Sequence, residues 1–299
     1  MFPVITVPPD AANLPEQVGS KRKFWYEDKL KLFKFVLGET GEDWSEKMAC
    51  ELCRLLGIPH AHYELGLWNG QRGVVSETFV PPEGRLILGN ELLARIVEDY
   101  PAKKSFRVHQ HTVGRVLAIL RAVLPPLGFE PFADVKTAQD VFVGYLMLDT
   151  WIANQDRHHE NWGLVLTKER PVHLAPSFDH ASCLGRNETD EVRHDRLTTK
   201  DKNRSMEHYV ERACSAFYAS ERDRNPLSTL DSFLYAAKFR PRAALSWLKQ
   251  LESVSPQGTE ILFHEIGNDR ISPVAIDFSQ KMLTLNRSRL LNCVEALLK

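Results

Sequence analysis

The chain has 299 residues, 43% hydrophobic and 26% charged, a globular mixture that excludes a disordered or fibrous protein and suffices for one large domain or two lobes. A formal net charge of -1 excludes strong direct nucleic-acid binding of the general kind, which depends on a basic excess to neutralise phosphates. The opening residues lack the basic-then-apolar order of a secretory signal, and no run approaches the roughly 18 apolar residues of a membrane span, so the expected location is the cytoplasm.

Residues 1–18 are Pro-rich and polar, an irregular lead-in with an edge strand. "VGSKRKFWY" follows as a turn between strands. In "KLKLFKFVL", Lys29, Lys31 and Lys34 are interspersed with Leu30, Leu32, Phe33 and Phe35, as on a half-buried strand. "GETGED" breaks that strand, with Asp43 or Ser45 as the expected cap of a helix that "GIP" stops after residue 56. Cys50 and Cys53 form a CxxC inside this helix. With no second CxxC and five cysteines in all, they read as small packed thiols rather than a metal or redox pair. Asn69-Gly70 then turns a hairpin between two strand-like segments.

"PPEG" at residues 81–84 marks a change to helical composition, so the expected lobes are residues 1–80, a small sheet with one helix, and 81–299, mostly helical. "NELLARIVEDY", "HTVGRVLAILRAVL" and "AQDVFVGYLMLDTWIA" suit helices, the last delivering the polar run "ANQDRHHENWG" into a loop. "WGLVL" and "VHLAPSFD" are short strands beyond it. Residues 185–204 mix both charge signs with almost no apolar residues, which predicts a mobile surface loop. "SMEHYVERACSAFYAS", "STLDSFLYAAKF", "RAALSWLKQLESV" and "SRLLNCVEALLK" close the chain as helices. The fold class is α+β.

The histidines of the polar run match no zinc spacing, and no GxSxG is present for nucleophilic hydrolysis. Phosphoryl transfer fits better. It needs a carboxylate to accept the proton of the attacking hydroxyl, an amide and a second carboxylate for magnesium, and a lysine on the nucleotide phosphates. Asp156 and Asn161 have the five-residue interval of the catalytic base and metal-binding amide of protein kinases. Asp179 in "SFDH" follows after a hairpin, and Asn161 with Asp179 gives Mg2+ the oxygen ligands it favours. Lys34 is the phosphate lysine, Glu46 on the next helix its ion-pair partner and Glu51 the rival. Arg157 fits either a phosphate or a structural salt bridge. His158 is expected to buttress the loop from inside and His159 to be its exposed neighbour.

"IANQDRHHENWGLVL" followed by "LAPSFDHASCLG" resembles the catalytic and metal segments of HipA-like Ser/Thr kinases, N-x-D-R-H-x-x-N and then P-x-[YF]-D. "LKLFKFVLG" and "SEKMACELCRLLGIPHA" resemble that family's lysine strand and glutamate helix, so the likeness spans roughly residues 16–185. It implies a bilobal protein-kinase-like fold and an ATP- and Mg2+-dependent phosphotransferase acting on a protein Ser/Thr hydroxyl. It also implies a phosphate loop at Gly19 and Ser20, and a hinge at Ser76 to Phe79 that meets adenine around Glu77 and Phe79. A toxin or phage-defence role follows by the same likeness, with a separately encoded antitoxin-like or helix-turn-helix partner. DRHxxN is shared with phosphatidylinositol kinases, so a lipid or small-molecule kinase is the enzymatic alternative and a pseudokinase binding module the other. Two features depart from the family. The expected loop begins within about twenty residues of Met1, which resembles the short members rather than the longer ones with an additional N-terminal subdomain ahead of it, and Glu16 falls near the place of the family's autophosphorylated serine.

Overall fold

Alternation in the lysine-rich segment does build a strand. The computed structural model describes residues 1–12, 14–15, 22–36, 40–169 and 171–298. Gly19 and Ser20, the expected phosphate loop, lie outside the described residues. A six-stranded sheet comprises β1 (Val4–Val7), β2 (Leu14–Pro15), β3 (Lys23–Tyr26), β4 (Lys31–Phe35), β5 (Tyr63–Trp68) and β6 (Gln71–Glu77). Its spatial order is β1-β5-β6-β4-β3-β2, antiparallel throughout except where β1 joins β5 in parallel at the edge. Because successive side chains on a strand point to opposite faces, Phe33 and Phe35 share one face and Lys34 takes the other. Phe33 and Phe35 pack edge to face at 4.9 Å, and Phe24 and Trp68 extend the cluster.

Helix α1 (Glu42–Leu56) packs across β5 and β6. It ends at Gly57, whose φ of 69° is a left-handed conformation that costs glycine little, and the Gly57 and Ile58 N–H groups close on the carbonyls of Arg54 and Cys53. Its start differs from expectation. Gly41 is the N-cap, without a side-chain bond, because Asp43 and Ser45 have distant partners. Asp43 accepts from Arg72 and Arg270, and Ser45 Oγ donates to the Ala181 carbonyl. Asn69 and Gly70, with φ of 47° and 75°, turn the β5–β6 hairpin as the sequence predicts.

Beyond the sheet the chain forms β7 (Arg85–Leu88), then α2 (Gly89–Ile96), α3 (Val113–Leu120) and α4 (Ala138–Trp151). β7 lies between "PPEG" and the helix read from Asn90, where the sequence predicts no strand. Its partner β8 (Gly163–Leu166) arrives from far along the chain, and β9 (Val172–Leu174) completes a second, three-stranded antiparallel sheet. Helix α4 is apolar almost all round and buried, as a central helix must be. Thr137 and Asp140 form a reciprocal capping box at its start.

The segment 185–204 is not simply a loop, since α5 (Asp190–Thr198) occupies its middle. Thr189 caps the helix, and buried Arg193 donates to Asp190 and to the Gly185 and Arg186 carbonyls, contacts that composition does not announce. The helices α6 (Met206–Glu211), α7 (Thr229–Phe239), α8 (Pro241–Ser253), α9 (Pro256–His264), α10 (Pro273–Leu291) and α11 (Val294–Leu297) follow. α6 is much shorter than the segment read as helix, while α9 and all of α10 before Ser288 were not legible. The core around α4 draws Leu148 and Trp151 together with Trp247 of α8 and Leu283 of α10. No helix among the described residues is long and apolar enough to cross a membrane.

Candidate active site

Strand β4 delivers Lys34 to the face of the sheet that α1 covers, where Glu46 projects from the second turn of the helix. Lys34 Nζ donates to Glu46 Oε2 at 3.0 Å and to Asp179 Oδ1 at 2.8 Å. Burial pulls the Lys34 ammonium down, but the Asp179 and Glu46 carboxylates outweigh it and hold the pKa well above the ordinary lysine value. The lysine is therefore cationic at neutral pH although only 7% exposed. Glu51, the rival, pairs instead with Lys47 and Arg54. Three residues separated by up to 145 positions meet here.

Asp156 and Asn161 stand on the loop after α4. Asn161 Nδ2 donates to the Asp156 carbonyl at 2.6 Å, which closes the loop on itself and turns the amide oxygen the other way. Asp156 N–H is held by Asn154 Oδ1 at 3.2 Å, and its Oδ2 accepts from Ser182 Oγ at 3.1 Å. Asp179 has a φ of 57°, a left-handed backbone in which Asp is tolerated better than bulkier residues, and its N–H donates to the Tyr63 hydroxyl.

Beneath both segments lies a buried polar scaffold. Asp149, in the last turn of α4, accepts from Asn154 Nδ2 at 2.8 Å, from Arg157 Nη2 at 2.7 Å and from Arg157 Nε. Arg157 is thus a structural salt bridge. Its guanidinium also reaches Ser177 Oγ at 2.9 Å and the Asn161 carbonyl at 3.3 Å. Ser177 in turn bonds His180 Nε2, and the His180 N–H donates to Glu46 Oε1 at 2.6 Å. Burial, aided by Arg157, drives His180 well below the usual histidine value, so it is neutral. One continuous chain of bonds thus runs from the polar loop through Asp149, Arg157, Ser177 and His180 to Glu46 and Lys34.

The two histidines exchange their expected places. His159 is buried, with Nδ1 2.6 Å from the Tyr100 hydroxyl, while His158 is partly exposed and its Nδ1 accepts from the Glu160 N–H. Tyr100 lies too far along the chain for the swap to be read locally. Sequence reasoning also passed over Asp149, Ser177 and His180. A lone carboxylate in the apolar run "GYLMLDTWIA" was the signal available for the first.

At the expected hinge, Glu77 pairs with Lys31 of β4, and β5 begins at Tyr63 opposite Ser76. Past Ser76, the side of β6 that faced β5 carries no strand among the described residues. The Thr78 N–H is taken by the Leu30 carbonyl, and Phe79 stacks on Phe178 at 5.6 Å, next to Asp179.

No family model matches the chain. Over 175 residues it is 25% identical to the serine/threonine-protein kinase CtkA of Helicobacter pylori, a match covering 56% of this chain and 50% of that protein. The chain thus spans about half the length of that curated relative. The crystal structure of the H. pylori proinflammatory kinase CtkA superposes with a TM-score of 0.70 at 18% identity, covering 99% of this chain and 98% of that one. A chain from the Shewanella oneidensis toxin–antitoxin complex of HipA, HipB and operator DNA gives a TM-score of 0.61 at 11% identity over 95% of this chain and 67% of that one. The likeness to HipA-like kinases in the motifs therefore extends to the fold.

Proposed function

We propose that the chain is an ATP- and Mg2+-dependent kinase of the HipA-like type that phosphorylates protein Ser or Thr hydroxyls. The observation that carries this reading is the convergence on one site of Lys34, Glu46 and Asp179, with Asp156 and Asn161 fixed five residues apart on a scaffold bonded to that site. In this reading residues 1–80 and 81–299 act as two lobes with the nucleotide between them. Lys34, held cationic and aimed by Glu46, binds the phosphates. Glu77 and Phe79 meet the adenine, and Gly19 and Ser20 belong to the phosphate loop. Asp156 orients the acceptor hydroxyl and takes its proton.

Asn161 and Asp179 offer the hard oxygen donors that magnesium prefers. The Asn161 amide nitrogen is committed to the Asp156 carbonyl, which leaves Oδ1 for a cation. Bound magnesium would supply charge neutralisation on the phosphate oxygens.

A toxin or phage-defence role in the cytoplasm, with an antitoxin-like or helix-turn-helix partner, belongs to the same proposal. It is supported by the fold shared with the chain from the HipA–HipB complex. The test is transfer of radiolabelled phosphate from ATP with Mg2+ to candidate proteins, with lipid substrates in parallel. Asp156→Ala and Asp179→Ala should lower transfer about 10²–10⁴-fold, the order of a lost general base. No transfer by the wild type, or equal transfer by both variants, overturns the proposal, and transfer to lipid alone overturns the protein substrate.

A further inference from the structure

Cys50 packs on α1 beside two histidines from the next segment. Cys50 lies one helical turn after Glu46 on α1, and His60 and His62 lead into β5. One ligand atom from each of the three lies within 4.8 Å of the other two, the only group of three His, Cys, Asp or Glu side chains so disposed among the described residues. His60 Nδ1 is 2.7 Å from the Ile58 carbonyl, so that nitrogen carries the proton and Nε2 keeps its lone pair. Nε2 is buried and has no hydrogen-bond partner among the described residues. A histidine anchored through one ring nitrogen to a backbone carbonyl, with the other left over, is the arrangement of a metal ligand. The Tyr63 N–H points at Cys50 Sγ at 3.5 Å, as an outer-shell donor to a thiolate does.

We propose that Cys50, His60 and His62 form a zinc site, with the fourth position open to water or an external ligand. One sulfur and two imidazole nitrogens are a donor set zinc takes in open sites. At Zn–S of about 2.3 Å and Zn–N of about 2.0–2.1 Å, tetrahedral ligand atoms stand about 3.3–3.6 Å apart. The three ligand atoms already lie within 4.8 Å of one another, and the exposed His62 side chain is the one whose rotation can bring them to that spacing. Burial pushes the Cys50 thiol up to about 11, above the ordinary cysteine value. Next to the site, the Ala61 N–H donates to the Ser177 carbonyl and the Ser177 N–H to the Pro59 carbonyl, each at 2.8 Å. A bound ion would therefore join α1 to the segment that carries Asp179.

The test is titration of the chelator-treated, tag-free chain with Co2+ as a spectroscopic stand-in for zinc, followed by displacement with Zn2+. One equivalent of Co2+ should give a thiolate-to-cobalt charge-transfer band and tetrahedral d–d bands, both lost when Zn2+ is added. Cys50→Ser should abolish the charge-transfer band, Cys53→Ser should retain it, and His62→Ala, a change at an exposed side chain, should weaken binding about tenfold or more. Absence of the charge-transfer band in the wild type, or its persistence in Cys50→Ser, overturns the site. Binding by His62→Ala equal to the wild type does so too, and decides the matter should Cys50→Ser not fold. None of these readings requires ATP, so they stand or fall apart from phosphoryl transfer.

Discussion

The Asp149–Arg157 pair beneath the polar loop gives the sharpest test of how the site is held. Both side chains are almost fully buried, and Arg157 donates twice to the Asp149 carboxylate. Asp149→Ala strands a guanidinium in the interior, and breaking one partner of a buried pair costs about 3–5 kcal/mol. Asn154 Nδ2 loses its acceptor as well, adding about 1 kcal/mol. The expected loss is therefore about 4–6 kcal/mol, read as a lower midpoint in urea unfolding with an unchanged slope. The double variant Asp149→Leu with Arg157→Met removes both charges and should recover much of that loss, since replacing a whole buried pair by apolar residues is often nearly neutral. A single variant that loses less than about 1 kcal/mol, or a double variant no more stable than the single one, refutes the reasoning.

Two further outcomes follow from the packing. A Cβ added at Gly73 would sit 2.3 Å from the Lys34 carbonyl oxygen and 2.6 Å from Phe33 Cζ, neither of which can move without disturbing β4. Gly73→Ala should thus destabilise by about 1–3 kcal/mol or more in thermal or urea unfolding, whereas a neutral change would mean that the sheet is looser than described. His111 donates through Nδ1 to the Ala216 carbonyl and accepts from Trp162 Nε1 at Nε2, so protonation at Nε2 breaks the second bond. Burial lowers its pKa from 6.5 to about 3. A depressed histidine contributes stability that is complete above the unfolded value and is lost as pH falls from about 6.5 toward 3, at up to about 1.4 kcal/mol per pH unit. Urea midpoints measured across that range should fall on acidification in the wild type and fall less steeply in His111→Gln. Parallel slopes would exclude His111 as a source.

What could be read in advance was local. Alternation fixed β4 and the direction of Lys34, the Asn69-Gly70 pair fixed a hairpin, and a glycine stopped α1 where expected. Each depends on neighbours within a few positions. The failures share a cause of the opposite kind. Asp43 and Ser45 satisfy the local rule for a helix cap, yet Arg270 and the Ala181 carbonyl claim them from 227 and 136 positions away. Charge composition made residues 185–204 a loop, but Arg193 folds back on the Gly185 and Arg186 carbonyls and a capped helix results. β7 went unassigned because its strand partner lies beyond α4 in sequence. Local rules lose wherever a polar side chain or a strand edge finds a distant partner.

The polar run itself divides along the same line. The Asp156–Asn161 interval was legible because spacing is a local quantity, and the Asn161 amide does bond across it to the Asp156 carbonyl. The other polar residues of the run were not legible, because their roles are set from outside it: Asn154 and Arg157 by Asp149, His159 by Tyr100. The same partners explain why Glu46 and not Glu51 meets Lys34. His180, anchored through Ser177 to Arg157, donates its backbone N–H to Glu46 and so fixes which carboxylate of α1 faces the lysine. Since Arg157 is held in place by Asp149, a substitution at Asp149 should disturb the Lys34–Glu46 pair without touching either residue.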